Sequence, residues 1–219
     1  MDAALFVEQL GAANQEILSR LAPVETLVAE SGGDLRLENL LKIALKNELE
    51  ATEIAARWLV STPDIDVKLA LARQAGDEAK HYRLIEAHLQ ELGADLSGFD
   101  PLAPGFGPLF TYLDSLEDTV ERVAAGQFTR EAIALVKNQQ FIDLCNAQGH
   151  TATATLYRDT IQKDEEYHHL LGRMLLLRLA TTPEAQERAR RAATRTLELA
   201  EELQHLALTK LGIHHAPGC

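Results

Sequence analysis

Two pentapeptides in this chain share one design: Asp77-Glu78-Ala79-Lys80-His81 and Asp164-Glu165-Glu166-Tyr167-His168, each reading Asp-Glu-x-x-His. On an α-helix, residues three apart stand one above the other on a single face, so each Glu and His can grip one cation from the same side. Carboxylate oxygen and imidazole nitrogen together suit divalent transition metals. One such motif arises often by chance. Two of them imply a pair of metal ions.

The elements that must carry these residues are helices. Among the 219 residues aromatics are 5%, and the long intervals between Pro and Gly are rich in Ala, Leu, Glu and Arg, all strong helix formers. The expected fold is all-α and a single domain spanning 1–219. A first helical pattern covers about 2–30, with Pro23 breaking or kinking it and Ser31-Gly32-Gly33-Asp34 as a turn. The next runs from about Leu35 to Val60 and stops at Pro63; Asp64 then caps a helix to about Leu92, which carries the first motif. From Gly93 to Pro108 the chain is broken by Gly98, Pro101, Pro104, Gly105 and Gly107, too long for a tight hairpin. This predicts a four-helix bundle with a long crossover between bundle helices 2 and 3. The third bundle helix is expected from about Phe110 to Cys145 or Gln148, and the fourth, with the second motif, from about Thr151 to Ala180. The bundle core is then about 35–180, flanked by the N-terminal helix and a C-terminal helix over about 183–211.

With 33 acidic residues, the ligands must be chosen by helical face. Glu165 and His168 share a face with Tyr157, Ile161, Gly172 and Leu175, whereas Glu166 and His169 fall with Arg158, Gln162 and Arg173, a water-facing register. Glu78 and His81 line up with Val67, Leu71, Gln74 and Ile85. On the first bundle helix Glu48 falls with Leu41, Ala44, Ala51 and Ala55. On the third, Glu131 falls with Val120, Ala124, Gln127, Leu135, Ile142 and Cys145. These faces are read as free of Lys and Arg. Burying four unpaired carboxylates costs several kcal/mol each, whereas two divalent cations balance them. Glu48, Glu78, His81, Glu131, Glu165 and His168 are therefore the expected metal ligands, with no catalytic residue assigned beyond them and no site for an organic cofactor.

At these residues, over about 35–180, the chain resembles the ferritin-like di-iron carboxylate proteins, the superfamily of ribonucleotide reductase small subunits, multicomponent hydroxylases, rubrerythrins and bacterioferritins. The paired Asp-Glu-x-x-His motifs are most similar to its oxygen-activating branch, as are the intervals of 30 residues from Glu48 to Glu78 and 34 from Glu131 to Glu165. The resemblance implies two iron ions, or manganese or a mixed pair, and implies that Asp77 and Asp164 each orient the imidazole of the opposite motif. It also has gaps. Ile85 stands where reductases carry a radical tyrosine, Leu135 replaces a hydroxylase threonine, Tyr167 replaces a basic residue, and no rubredoxin module is present.

The expected function is a di-iron oxidoreductase that activates dioxygen, as a mono-oxygenase or hydroxylase does, on a small organic substrate. With no flavin or nicotinamide fold encoded, electrons come from an external donor. The alternative is ferroxidation and iron storage, or peroxide detoxification, of bacterioferritin or rubrerythrin type; a purely structural subunit is disfavoured by the intact ligand set. A net charge of −12 argues against nucleic acid as a partner. The absence of a long apolar run or basic leader argues against a membrane, so a cytoplasmic homodimer is expected. Cys145 reads as a small core residue, and His205, His214, His215 and Cys219 as a tail rather than a second metal site. Tyr82, Tyr112, Tyr157 and Trp58 read as packing residues rather than electron relays, and Ala124-Ala125-Gly126 as room for close packing or a substrate.

Overall fold

A computed structural model describes residues 1–22, 27 and 34–209, with side chains up to Leu203. Helix α1 spans Ala3–Leu21, α2 Leu37–Ser61 and α3 Ile65–Glu91. After the crossover come α4, Pro108–Asp114, and α5, Thr119–Val123, which continues through a π-helical stretch, Ala124–Arg130, into α6, Glu131–Ala147. Similarly α7, Thr151–Leu156, passes through a π-helical stretch, Tyr157–Ile161, into α8, Gln162–Leu179; α9 is Pro183–Thr209. The described residues are all helix, turn or loop, with no strand. Among them no helix is long and apolar enough to cross a membrane.

Local chemistry accounts for the ends. The Asp64 carboxylate accepts from Val67 N at 3.0 Å and caps α3. Gly149, at φ +81°, makes the turn between α6 and α7 that an L side chain resists. The single third helix expected from Phe110 is instead broken at residues 115–118, where the Asp118 carboxylate accepts from Val120 N and Glu121 N and starts α5 afresh. Asp118 with Glu121 three residues on has the form of a capping box, a signal the hydrophobic period alone passes over. Helix α1 ends at Leu21, just before Pro23; apart from Ala22 and Leu27 the rest of the expected 2–30 stretch, with Pro23 and Gly32-Gly33, lies outside the described residues, as do His214, His215, Cys219 and the side chain of His205.

Helix α2 packs along α3, α6 along α8, and the 124–130 stretch wedges against α8 and α9. Three apolar clusters result among the described residues, a small one joining Leu18 and Leu21 to Ile133 and Leu197, and two large ones. Of the large ones, the first holds Phe6, Ala55, Trp58, Leu71, Phe128 and Leu176 among others, the second Leu41, Ala44, Ile85, Ile142, Tyr157 and Ile161. Along each of the four helices the change from one cluster to the other brackets an acidic residue: Glu48, Glu78, Glu131 and Glu165. The charge therefore lies between two apolar layers.

Close backbone approach fixes the wedge. A Cβ on Gly172 would stand 2.6 Å from the Gln127 carbonyl carbon, and one on Gly126 would stand 2.6 Å from the Trp58 ring. Both glycines are requirements of packing.

Candidate metal centre

All six residues selected by helical face are buried, none more than 2% exposed. Ligand atoms of Glu48, Glu78, His81 and Glu165 lie within 4.8 Å of one another, and so do those of Glu78, Glu131, Glu165 and His168. Glu78 and Glu165 belong to both groups. The i, i+3 geometry brings His81 Nδ1 to 3.3 Å from Glu78 and His168 Nδ1 to 3.3 Å from Glu165.

The outer nitrogen of each imidazole is held from the opposite motif. His168 Nε2 lies 3.1 Å from Asp77 Oδ2, and His81 Nε2 lies 3.1 Å from Asp164 Oδ2. With Nε2–H donated to a carboxylate, the Nδ1 lone pair is directed at the cluster, as a metal-bound His requires. Asp164 is itself 2.5 Å from Lys80 Nζ, while Asp77 is 3.3 Å from Arg73 Nε, with that guanidinium stacked 3.6 Å over the Tyr167 ring.

The inner faces are not free of cations, contrary to the expectation from the helical period. Arg130 is buried; its Nη1 donates to Glu131 Oε1 at 3.0 Å and stands 4.0 Å from Glu78 Oε1. Gln74 Nε2 donates to the same Glu131 oxygen at 2.6 Å. The cause is the π-helical stretch: its wider turn places every residue from Ala124 to Arg130 in the interior, so Arg130 and Glu131 both face inward though adjacent in sequence. The water-facing assignment of His169 is also overturned, because Nδ1 donates to the Phe128 carbonyl at 2.7 Å and its ring stacks on Phe128. Glu166 is exposed.

Protonation shows how ill-matched these groups are on their own. Burial opposes charge on His81, but Glu48 and Glu78 beside Nδ1 outweigh it and hold its pKa at about 12. Burial raises Glu48 to about 7, against the pull of His81, and raises Glu165 well above the carboxylate range, with Glu78 and Glu131 adding to it. Burial also resists ionisation of Glu78, yet His81, His168 and Arg130 hold it down at about 2. Glu48 Oε1, Glu78 Oε1, Glu131 Oε2 and His81 Nδ1 have no hydrogen-bond partner. Buried oxygen and nitrogen atoms are rarely left so. Cations placed among them would satisfy all four, so the donor set fits metal ions.

Tyr157 and Asn138 are fully buried, and the Tyr157 hydroxyl and both Asn138 amide atoms likewise have no partner among the described residues. Trp58 and Tyr157 sit within the apolar clusters; Tyr82 and Tyr112 are half-buried against them. Cys145 is buried, which pushes its thiol up to about 12 and makes it inert. No protein-family model matches the chain, and no curated protein matches it.

Proposed function

We propose that this chain is a ferritin-like di-iron oxidoreductase. Its four-helix core would be α2, α3 and the two long helices 119–147 and 151–179, with α1 and α9 as accessories within one domain. The observation that carries the reading is the convergence of four buried carboxylates and two imidazoles, each imidazole held at Nε2 by an Asp of the other motif. Glu48, Glu78, His81, Glu131, Glu165 and His168 would hold the ions, with Glu78 and Glu165 shared between them. A reduced iron pair bound there would supply the electrons that activate dioxygen.

The chain's own residues do the rest. Asp77 and Asp164 keep Nδ1 of each His directed inward. Arg130 and Gln74 both bind one oxygen of Glu131, leaving the other for a metal and limiting how far this carboxylate swings. The two apolar layers exclude bulk water from either end of the cluster. Substrate would be a small organic molecule, and an external protein would supply electrons.

The test is anaerobic loading with ferrous iron followed by exposure to air. The proposal requires about two irons per chain, the pair that two shared-carboxylate half-sites can hold, and oxygen uptake stimulated by an oxidisable substrate. Uptake of many irons per chain would instead establish iron storage.

A further inference from the structure

Between α2 and the crossover residues 99–108 lies a groove of about 470 Å³. Its size is that of a small-molecule site. The loop that roofs it is tied down. Gly107 N donates to Glu50 Oε1 at 2.8 Å, Lys46 bridges Glu50 and the Gly105 carbonyl, and Phe106 stacks on Phe110 at 4.0 Å beneath the Arg57 guanidinium. This is a preformed groove whose walls carry the rings of Phe99 and Phe106, the ammonium groups of Lys42 and Lys46 and the carboxylates of Glu50 and Asp100.

Two features indicate what it takes. Lys42, on the α2 wall, lies 5.6 Å from the Phe99 ring, and its carboxylate partner Glu38 is a largely exposed residue one turn back that does not line the groove. Exposed pairs of this kind add little, so an incoming anion can take the place of Glu38. Asp100, also on the wall, has its carboxylate engaged with Leu102 N at 2.9 Å. The groove therefore offers an ammonium beside a ring.

A separate pocket of about 20 Å³ lies beside the groove; it shares Asn47, Glu50 and Gly107 with it and is lined on another side by Arg130. That guanidinium donates to Glu131 and neighbours Glu78. The small pocket has room for about one water, so an organic ligand stays in the groove.

We infer that this groove binds an organic ligand, a molecule with a flat aromatic or apolar body against Phe99 and Phe106 and one anionic group at Lys42. The inference rests on the metal-centre reading for the identity of the site served.

8-Anilinonaphthalene-1-sulfonate, an aromatic anion that fluoresces in apolar sites, is the probe. The whole metal-free chain should bind one per molecule. Lys42→Glu should weaken binding at least about tenfold and Phe106→Ala several-fold, with helicity by circular dichroism unchanged. Leu69→Ser, at an exposed apolar residue of α3 outside the groove, should leave it unchanged. Loading with cobalt(II), followed by its own absorption, should quench the bound probe. Binding indifferent to both groove variants, binding lost in Leu69→Ser, or an unquenched probe beside bound cobalt would overturn the inference. Failure to bind cobalt, with the groove variants behaving as expected, would instead overturn the metal centre and leave the groove standing as a binding site.

Discussion

Loading the cluster with metal should release protons, and the structure sets how many. At pH 7 without metal, His81 is an imidazolium, since its pKa is about 12 with Nε2 on Asp164 and Nδ1 facing Glu48 and Glu78. Burial raises Glu165 well above the carboxylate range and Glu48 to about 7, so both favour the protonated form more than a free carboxylate does. A metal requires the Nδ1 lone pair and ionised carboxylates. His81 then releases a proton, and Glu165 and Glu48, both raised by burial, add to it, so binding gives up more than one proton. Because protons compete with metal, affinity rises with pH, by more than about tenfold per unit around neutrality. Calorimetric titration with zinc(II) at pH 7 in two buffers of different ionisation enthalpy counts the protons directly. Glu165→Gln should lower the count. Release of less than one proton, or an affinity flat from about pH 6 to 8, would refute the charge assignment.

Asp77→Ala and Asp164→Ala should each weaken metal binding about 10–100-fold, measured by competition with a chelating dye, while Glu166→Ala leaves it unchanged. Chelation should lower the melting temperature: metal at a hundred times its Kd contributes about 2.7 kcal/mol, or roughly 5–10 °C for a chain of this size. An identical melting curve with and without metal would count against a buried pair. Gly172→Ala should cost about 1–3 kcal/mol in urea denaturation, because its Cβ meets the backbone of Gln127 and Phe128 rather than a movable side chain. Asp64→Ala removes the α3 cap and a two-pronged pairing with Arg178, at 2.8 and 2.6 Å, and should cost about 1–2 kcal/mol near neutrality. The folded pKa of Asp64 is lowered to about 2 from 3.8, so its contribution is complete above pH 3.8 and fades as pH falls through about 2. Wild type and variant should therefore converge in acid.

Much of the site was legible because a helix repeats locally. The period of 3.6 picks Glu48, Glu78, Glu131 and Glu165 from 33 acidic residues, and the three-residue step joins each motif's Glu to its His. Those six side chains are buried and converge. Where the period itself changes, the reading failed. The π-helical stretch at Ala124–Arg130 turned Arg130 inward beside Glu131, and it packs closely on other helices, where Gly172 admits the backbone of Gln127 and Gly126 admits Trp58. Local pattern carries no record of such contacts. The crossover was visible as a Pro- and Gly-rich interval, yet nothing in that interval announces that Gly107 binds Glu50, 57 residues earlier, and encloses a groove. The sequence alone determined helices, inward faces and a paired donor set, because those depend on neighbours within a turn. Only the tertiary structure decided which Asp faces which His, where a cation enters the cluster and where a groove forms, because those depend on residues brought together from distant turns of the chain.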